Sequence, residues 1–283
     1  MSIKDLFHAA TLGVLVVACT ISCVPKADYT PKQNKQAKVD TSAYGTFISD
    51  NIATKYFSTE MLQSVNYGTV ALMSCCAYYE YKLQQGIKAG QKWVYTNKNQ
   101  YSPQSTSFDN MLASGKWGAN CAMHSNWAYI DMGIMEEGDR FYGGSGGTFE
   151  HYSEVASDIQ TACRITQMNP VKTMKELVAE GSVQPGDVLL CSGHTFIFLG
   201  DDPNDSYDKK NIYFCAGKND AKGHSDASAS SEYNPSFVFD SFINYDQNQS
   251  WKVYWKISFK DSYVPKYYRN ADGRIVANPM LSN

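Results

Sequence analysis

The stretch that most constrains this chain is Gln184–Gly200, QPGDVLLCSGHTFIFLG. It holds two apolar runs, Asp187–Cys191 and Thr195–Leu199, each too short for a packed helix. A Ser-Gly turn separates them, and Pro185-Gly186 marks a turn ahead of them. Short apolar runs punctuated this way read as strands. Asn211–Gly217, NIYFCAG, reads as a third. In Trp251–Phe259, residues Trp251, Val253, Trp255, Ile257 and Phe259 alternate with Lys252, Tyr254, Lys256 and Ser258, the pattern of a half-exposed antiparallel strand. Upstream the period changes. Ser58–Gly86 opens with a Ser/Thr cap, closes on Gly, and carries Met61, Leu62, Val65, Val70, Leu72 and Met73 at helical spacing, with Cys75 and Cys76 as core or semi-core residues. Cys121–Met132 predicts a second helix, with Ala122, Trp127, Ala128 and Ile130 near its buried face. A short helix precedes Pro185. Helices followed by an antiparallel sheet make an α+β fold, with the N-terminal helices packed on the sheet.

At 283 residues and 43% apolar, the chain can build one domain of about 200 residues plus extensions. The net charge of −3 gives no basic face, so no nucleic-acid partner is expected. The 20 tyrosines suit stacking on sugars or peptides and equally suit a β-rich core. Ala9–Ile21 is apolar, too short for a membrane span and of signal-peptide length. It ends in VVAC, which resembles a bacterial lipobox with Cys19 as the lipidated residue; Cys23 is a second candidate, and an uncleaved anchor is the alternative. The polar, Lys- and Gln-rich stretch that follows reads as a tether. The expected organisation is a lipoprotein signal or anchor over 1–23, a flexible tether over 24–55, a folded domain over 56–265 and a C-terminal tail over 266–283. The folded part would then face the outside of the cell, held at the membrane as a monomer. The glycine-rich stretch over 136–150 lacks a phosphate-binding pattern and reads as a mobile rim loop.

The chemistry centres on Cys121. It stands at the mouth of a predicted helix, where unpaired N–H groups and the macrodipole lower a thiol pKa and can hold an oxyanion. Asn120 is placed to cap that helix. A thiolate needs a base. His194 opens a strand after a tight turn and is preferred over His124, which lies one turn along the same helix as Cys121. There is no C-x-x-C pair, and the even cysteine count permits disulfides without demanding them. Cys121, Cys191, His194 and Cys215 would make a zinc site if they converged, but the favoured reading needs no metal and no cofactor.

Asn-Cys-Ala opening a helix, followed by QPGDVLL and GHTFIFLG, resembles the NlpC-type papain-like peptidases of bacterial cell-wall metabolism over roughly Trp93–Phe259, and GANCAMHSNWAYIDMGIMEEGDRFYGG is similar to a clostridial branch of that family. The resemblance implies a papain-like fold, cleavage of amide bonds in peptidoglycan stem peptides, Cys121 as nucleophile and His194 as base. It places Cys215 at the third position, where the family has His, Asn, Gln or Asp. A thiol accepts an imidazole N–H poorly, so Asn219 or Asp220 could orient the ring instead. A non-catalytic cell-wall-binding lipoprotein on the same fold is the rival reading.

Overall fold

The computed structural model of the protein describes residues 38–89, 94–95, 106–115, 118–119, 121–138, 157–191, 194–200, 212–218, 239–244 and 250–282, all within one compact unit, Ala37–Asn283. After a two-residue strand β1 (Lys38–Val39), helix α1 (Tyr44–Ser49) leads to α2 (Thr59–Ser64) and the long α3 (Tyr67–Lys88). The single helix expected over Ser58–Gly86 is therefore two. The Ser58 hydroxyl accepts the Met61 N–H and starts α2; Val65 is extended; the Asn66 side chain accepts the Thr69 N–H and starts α3. Cys75 and Cys76 are fully buried. Two short strands, β2 (Val94–Tyr95) and β3 (Gly118–Ala119), bracket α4 (Phe108–Ala113), and α5 (Met123–Asp131) follows.

The second half is a sheet, as expected. Helix α6 (Ser157–Ala162) feeds the long strand β4 (Cys163–Thr173), and α7 (Met174–Ala179) begins at a capping box in which Thr173 and Glu176 satisfy each other's backbone N–H groups. Strands β5 (Val188–Cys191), β6 (His194–Gly200), β7 (Ile212–Lys218), β8 (Phe239–Asn244) and β9 (Lys252–Phe259) complete it. Among the described residues the six strands are all antiparallel, in the order β4-β9-β5-β6-β7-β8. One face carries Val188, Leu190, Ile197 and Leu199 into the main core with α3 and α5. The other carries Leu189, Phe196 and Phe198 into a smaller core with Met174 and Leu177 of α7. The protein is thus α+β, with helices on an antiparallel sheet.

Strand β9 departs from the simple alternation. Leu190 pairs with Trp255, but Cys191 pairs with Val253, so Tyr254 is skipped; the β4 ladder also breaks between Trp255 and Val253. This bulge turns Val253 into the α7-side core, while Ile257 and Phe259 stay in the main core. Strand β9 therefore sends buried side chains to both faces, while Lys252 stays exposed and Tyr254, Trp255, Lys256 and Ser258 stay partly exposed.

Both predicted segment boundaries need correction. Residues 38–55 belong to the fold: Phe47, Ile52 and Ala53 are fully buried, and the Asn51 side chain caps the turn at Ala53. Residues 266–282 are likewise integrated. Strands β10 (Tyr267–Arg269) and β11 (Ile275–Ala277) form a hairpin, and β12 (Leu281–Ser282) pairs with β1. Arg269, 1% exposed, makes this segment structural. Its Nη2 donates to Asp131 Oδ2 at 2.6 Å and its Nη1 to Asp109 Oδ2 at 2.7 Å. Tyr79 donates to the same Asp131 oxygen at 2.7 Å, and the guanidinium lies 4.0 Å from the Tyr78 ring centroid. Burial pushes the Asp131 carboxyl up to about 6 against the pull of Arg269. Burial opposes the Arg269 charge, but Asp131, Tyr79 and Asp109 outweigh it and hold the pKa above its ordinary value.

Removing one partner of a buried ion pair strands the other charge. Arg269→Ala should therefore lower unfolding free energy by about 3–5 kcal/mol, read by denaturant titration. Arg274→Ala, whose 79%-exposed side chain lies 3.8 Å from the Asp272 carboxylate, should change it by less than about 0.5 kcal/mol.

Candidate functional site

The β5–β6 hairpin is seated by its Pro-Gly-Asp turn. Gly186 adopts φ +91°, and a Cβ there would overlap the Thr69 side chain near the start of α3. The Thr69 hydroxyl donates to the Pro185 carbonyl at 3.3 Å. Asp187 is 3% exposed; it accepts the Gln184 N–H at 2.9 Å and the Ser258 hydroxyl, with Lys256 Nζ 3.5 Å away. Burial raises its pKa, with those donors pulling the other way. The Phe198 N–H donates to the Asp187 carbonyl, and the Gly186 N–H to the Phe198 carbonyl. The turn thereby fixes both strands against α3 and sets where their far end falls.

Cys191 and His194 stand at that far end. His194 is the first residue of β6 and the register partner of Cys191. Burial pushes the Cys191 thiol up, and the nearby Cys121 thiol pushes it further, so Cys121 lies close to the end of this hairpin. The His194 imidazole is outside the described residues. Cys215 lies within β7; it follows Phe214, the partner of Ile197, which puts its backbone level with Phe196, two residues along β6 from His194. Its side chain is also outside the described residues, as are Asn120, Asn219, Asp220 and Cys19.

Cys121 does not open the helix. It occupies the turn before α5, whose N-cap is Ala122, with no side-chain cap. Asn120 is therefore not the N-cap: the chain turns once more before the first helical residue, Met123. Cys121 still precedes the positive end of a nine-residue helix, but it is only 4% exposed. The other ionisable neighbour on α5, His124, is 1% exposed, with its ring 5.6 Å from Trp127 and 6.4 Å from Tyr79. Burial holds it well below the ordinary histidine pKa, which makes it a neutral core residue facing α3. Thr195, beside His194 in sequence, is 1% exposed, and its hydroxyl has no hydrogen-bond partner among the described residues. Among those residues no cluster of three or more His, Cys, Asp or Glu could hold a metal, and no helix is long and apolar enough to cross a membrane.

Compared with protein-family models, curated proteins and solved structures, the chain matches none. The site's own chemistry has to carry any functional reading.

Sequence reasoning missed the seat of the hairpin on Thr69 and the Arg269 cluster. The first has no sequence signature, because Thr69 lies 117 residues from Gly186. The second could have been suspected from Asn270–Gly273, NADG, a turn signal between two short alternating runs.

Gly186→Ala should destabilise the fold by about 2–4 kcal/mol, combining backbone strain and overlap. Adding Thr69→Ala should return the overlap share and leave the backbone share. A chemical-denaturation double-mutant cycle measures both.

Proposed function

We propose that this protein is an exported, lipid-anchored cysteine hydrolase of the NlpC type, papain-like in fold, that cleaves amide bonds in peptidoglycan stem peptides. The Cys121 thiolate attacks the scissile carbonyl carbon while α5 N–H groups hold the developing oxyanion. His194 carries the thiol proton to the leaving amine as the C–N bond breaks, and it then activates the water that hydrolyses the thioester. Cys215, or Asn219 or Asp220, orients the imidazole. The observation that supports this reading is the approach of Cys121 to the end of the hairpin where β6 begins with His194.

A second observation favours a non-catalytic cell-wall-binding protein on the same fold. Cys191, the residue across from His194, belongs to the α7-side core, whereas Cys121 belongs to the main core and is almost fully covered. A thiol so fully covered is poorly placed to attack an incoming peptide.

Digestion of purified peptidoglycan, read by mass spectrometry, separates the two. The hydrolase should release stem-peptide fragments, and Cys121→Ala or His194→Ala should cut that release on the order of 10³-fold or more. Equal release by wild type and Cys121→Ala would refute the assignment.

Thiol labelling adds an independent check. Cys75, Cys76, Cys163 and Cys191 are buried, and burial raises every one of these thiol pKa values, Cys163 to about 12. At neutral pH iodoacetamide should label Cys121 first and leave those four intact until the protein is unfolded. Labelling of Cys121 no faster than Cys75 would argue for the binding protein.

A further inference from the structure

Strand β9 reaches the same end of the sheet as the hairpin. Val253 pairs with Cys191, and Cys191 pairs with His194, so these three residues lie side by side on adjacent strands. Two strand spacings put Val253 about 10 Å from His194. Around Val253 the chain forms a cleft of ≈ 290 Å³ lined by Ser250, Trp251, Lys252 and Tyr254. It is an open depression, slightly smaller than the clefts that enclose drug-sized ligands.

Two features make this cleft more than a gap between side chains. Tyr254 is the residue that the β9 bulge leaves out of the β5 ladder, and the β4 ladder breaks at the same point. Bulges redirect a side chain at the cost of a ladder position and concentrate beside functional sites. Trp251 is held in place. Its carbonyl accepts the Met174 N–H at 2.8 Å, and its ring meets Phe196 of β6 edge-on at 5.7 Å. The cleft is thus lined by a half-buried indole packed against Phe196 of β6, by the half-buried phenol of the residue at the bulge, and by an exposed lysine and serine. Flat aromatic faces suit the apolar C–H faces of a pyranose ring, and an ammonium and a hydroxyl suit its ring oxygens and N-acetyl carbonyl.

We propose that the Ser250–Tyr254 cleft is a glycan subsite that takes an N-acetylhexosamine unit of the peptidoglycan strand, about 10 Å along the sheet from the His194 backbone. Naming peptidoglycan as the source rests on the proposed function; the sugar chemistry rests on the cleft. In the hydrolase the subsite holds the glycan end of the substrate while the stem peptide reaches the hairpin. In a binding protein it would be the principal recognition site.

Calorimetric titration of the full chain with tetra-N-acetylchitotetraose tests this directly, with a synthetic sugar-free stem peptide as the comparison. Saturable binding of the oligosaccharide is expected, weakened about tenfold in Tyr254→Ala, a loss of about 1.4 kcal/mol, with a smaller loss in Lys252→Ala. Thermal melts establish that both variants remain folded. Binding of the sugar-free peptide should be unchanged in either. If the wild type cleaves peptidoglycan, Tyr254→Ala should raise KM with little change in kcat, because the contact is made equally before and during reaction. Absence of saturable oligosaccharide binding, wild-type affinity in a folded Tyr254→Ala, or a matching loss of peptide binding would each overturn the glycan subsite. Failure of the wild type to cleave peptidoglycan, with the oligosaccharide isotherm intact, would remove the hydrolase and leave the subsite standing.

Discussion

The buried guanidinium of Arg269 is the contact on which the helical half depends. It comes from the C-terminal hairpin, yet its partners are Asp109 on α4 and Asp131 on α5, and it lies over Tyr78 on α3. Its own N–H donates to the Ser74 hydroxyl, also on α3. Three helices and one strand thus share a single cation. Burying such a group costs several kcal/mol unless its donors are met; here Nη1 also finds the Gly273 carbonyl at 2.9 Å. The last residue of α5, Asp131, is held by this cluster, while the first turn of the same helix follows Cys121. The orientation of the candidate nucleophile is therefore linked, through one helix, to a residue near the C-terminus.

The sheet supplies the other half of the geometry by a different means. At the β5–β6 hairpin the absence of a side chain matters as much as any charge. Gly186 lets the turn lie directly on Thr69, and the Asp187 carboxylate closes the turn from inside. Rigid seating at one end of a four-residue strand leaves little freedom at the other, where Cys191 and His194 stand opposite each other. The bulge in β9 at the same level changes what the neighbouring strand presents without disturbing that seat.

The parts legible in the sequence were those governed by local periodicity and turn chemistry. The hairpin, the strand after it, the helical character of Ser58–Gly86 and the burial of Cys75 and Cys76 all follow from patterns a few residues long. The pattern failed where distant contacts decide. Residues 38–55 look like polar tether because Phe47, Ile48 and Ile52 are sparse in sequence, yet they meet the main core in space. Residues 266–283 look like a tail because their stability resides in an arginine, which hydropathy counts as a surface residue. The bulge at Tyr254 was hidden because Trp251–Phe259 alternates without a break and only the partner strands reveal the skipped position. At the site, residue order pointed to Cys121 and the hairpin together, but the extra turn before α5 depends on how the chain approaches the helix and has no local signal.

The pairing of β1 with β12 has a mechanical consequence. Lys38 pairs with Ser282, Val39 with Leu281, and the Asp40 N–H donates to the Met280 carbonyl. Tension arriving through the chain ahead of Lys38 would meet these contacts in succession, outermost first, as a zipper is opened, rather than all at once as in shear. The clasp would yield at low force and release a few residues of chain. Phe47 and Ile52, embedded in the main core, would then bear the load. The fold therefore joins its leading segment through a compliant element backed by a stiff one, so a brief tug need not be transmitted to the helices that position Cys121.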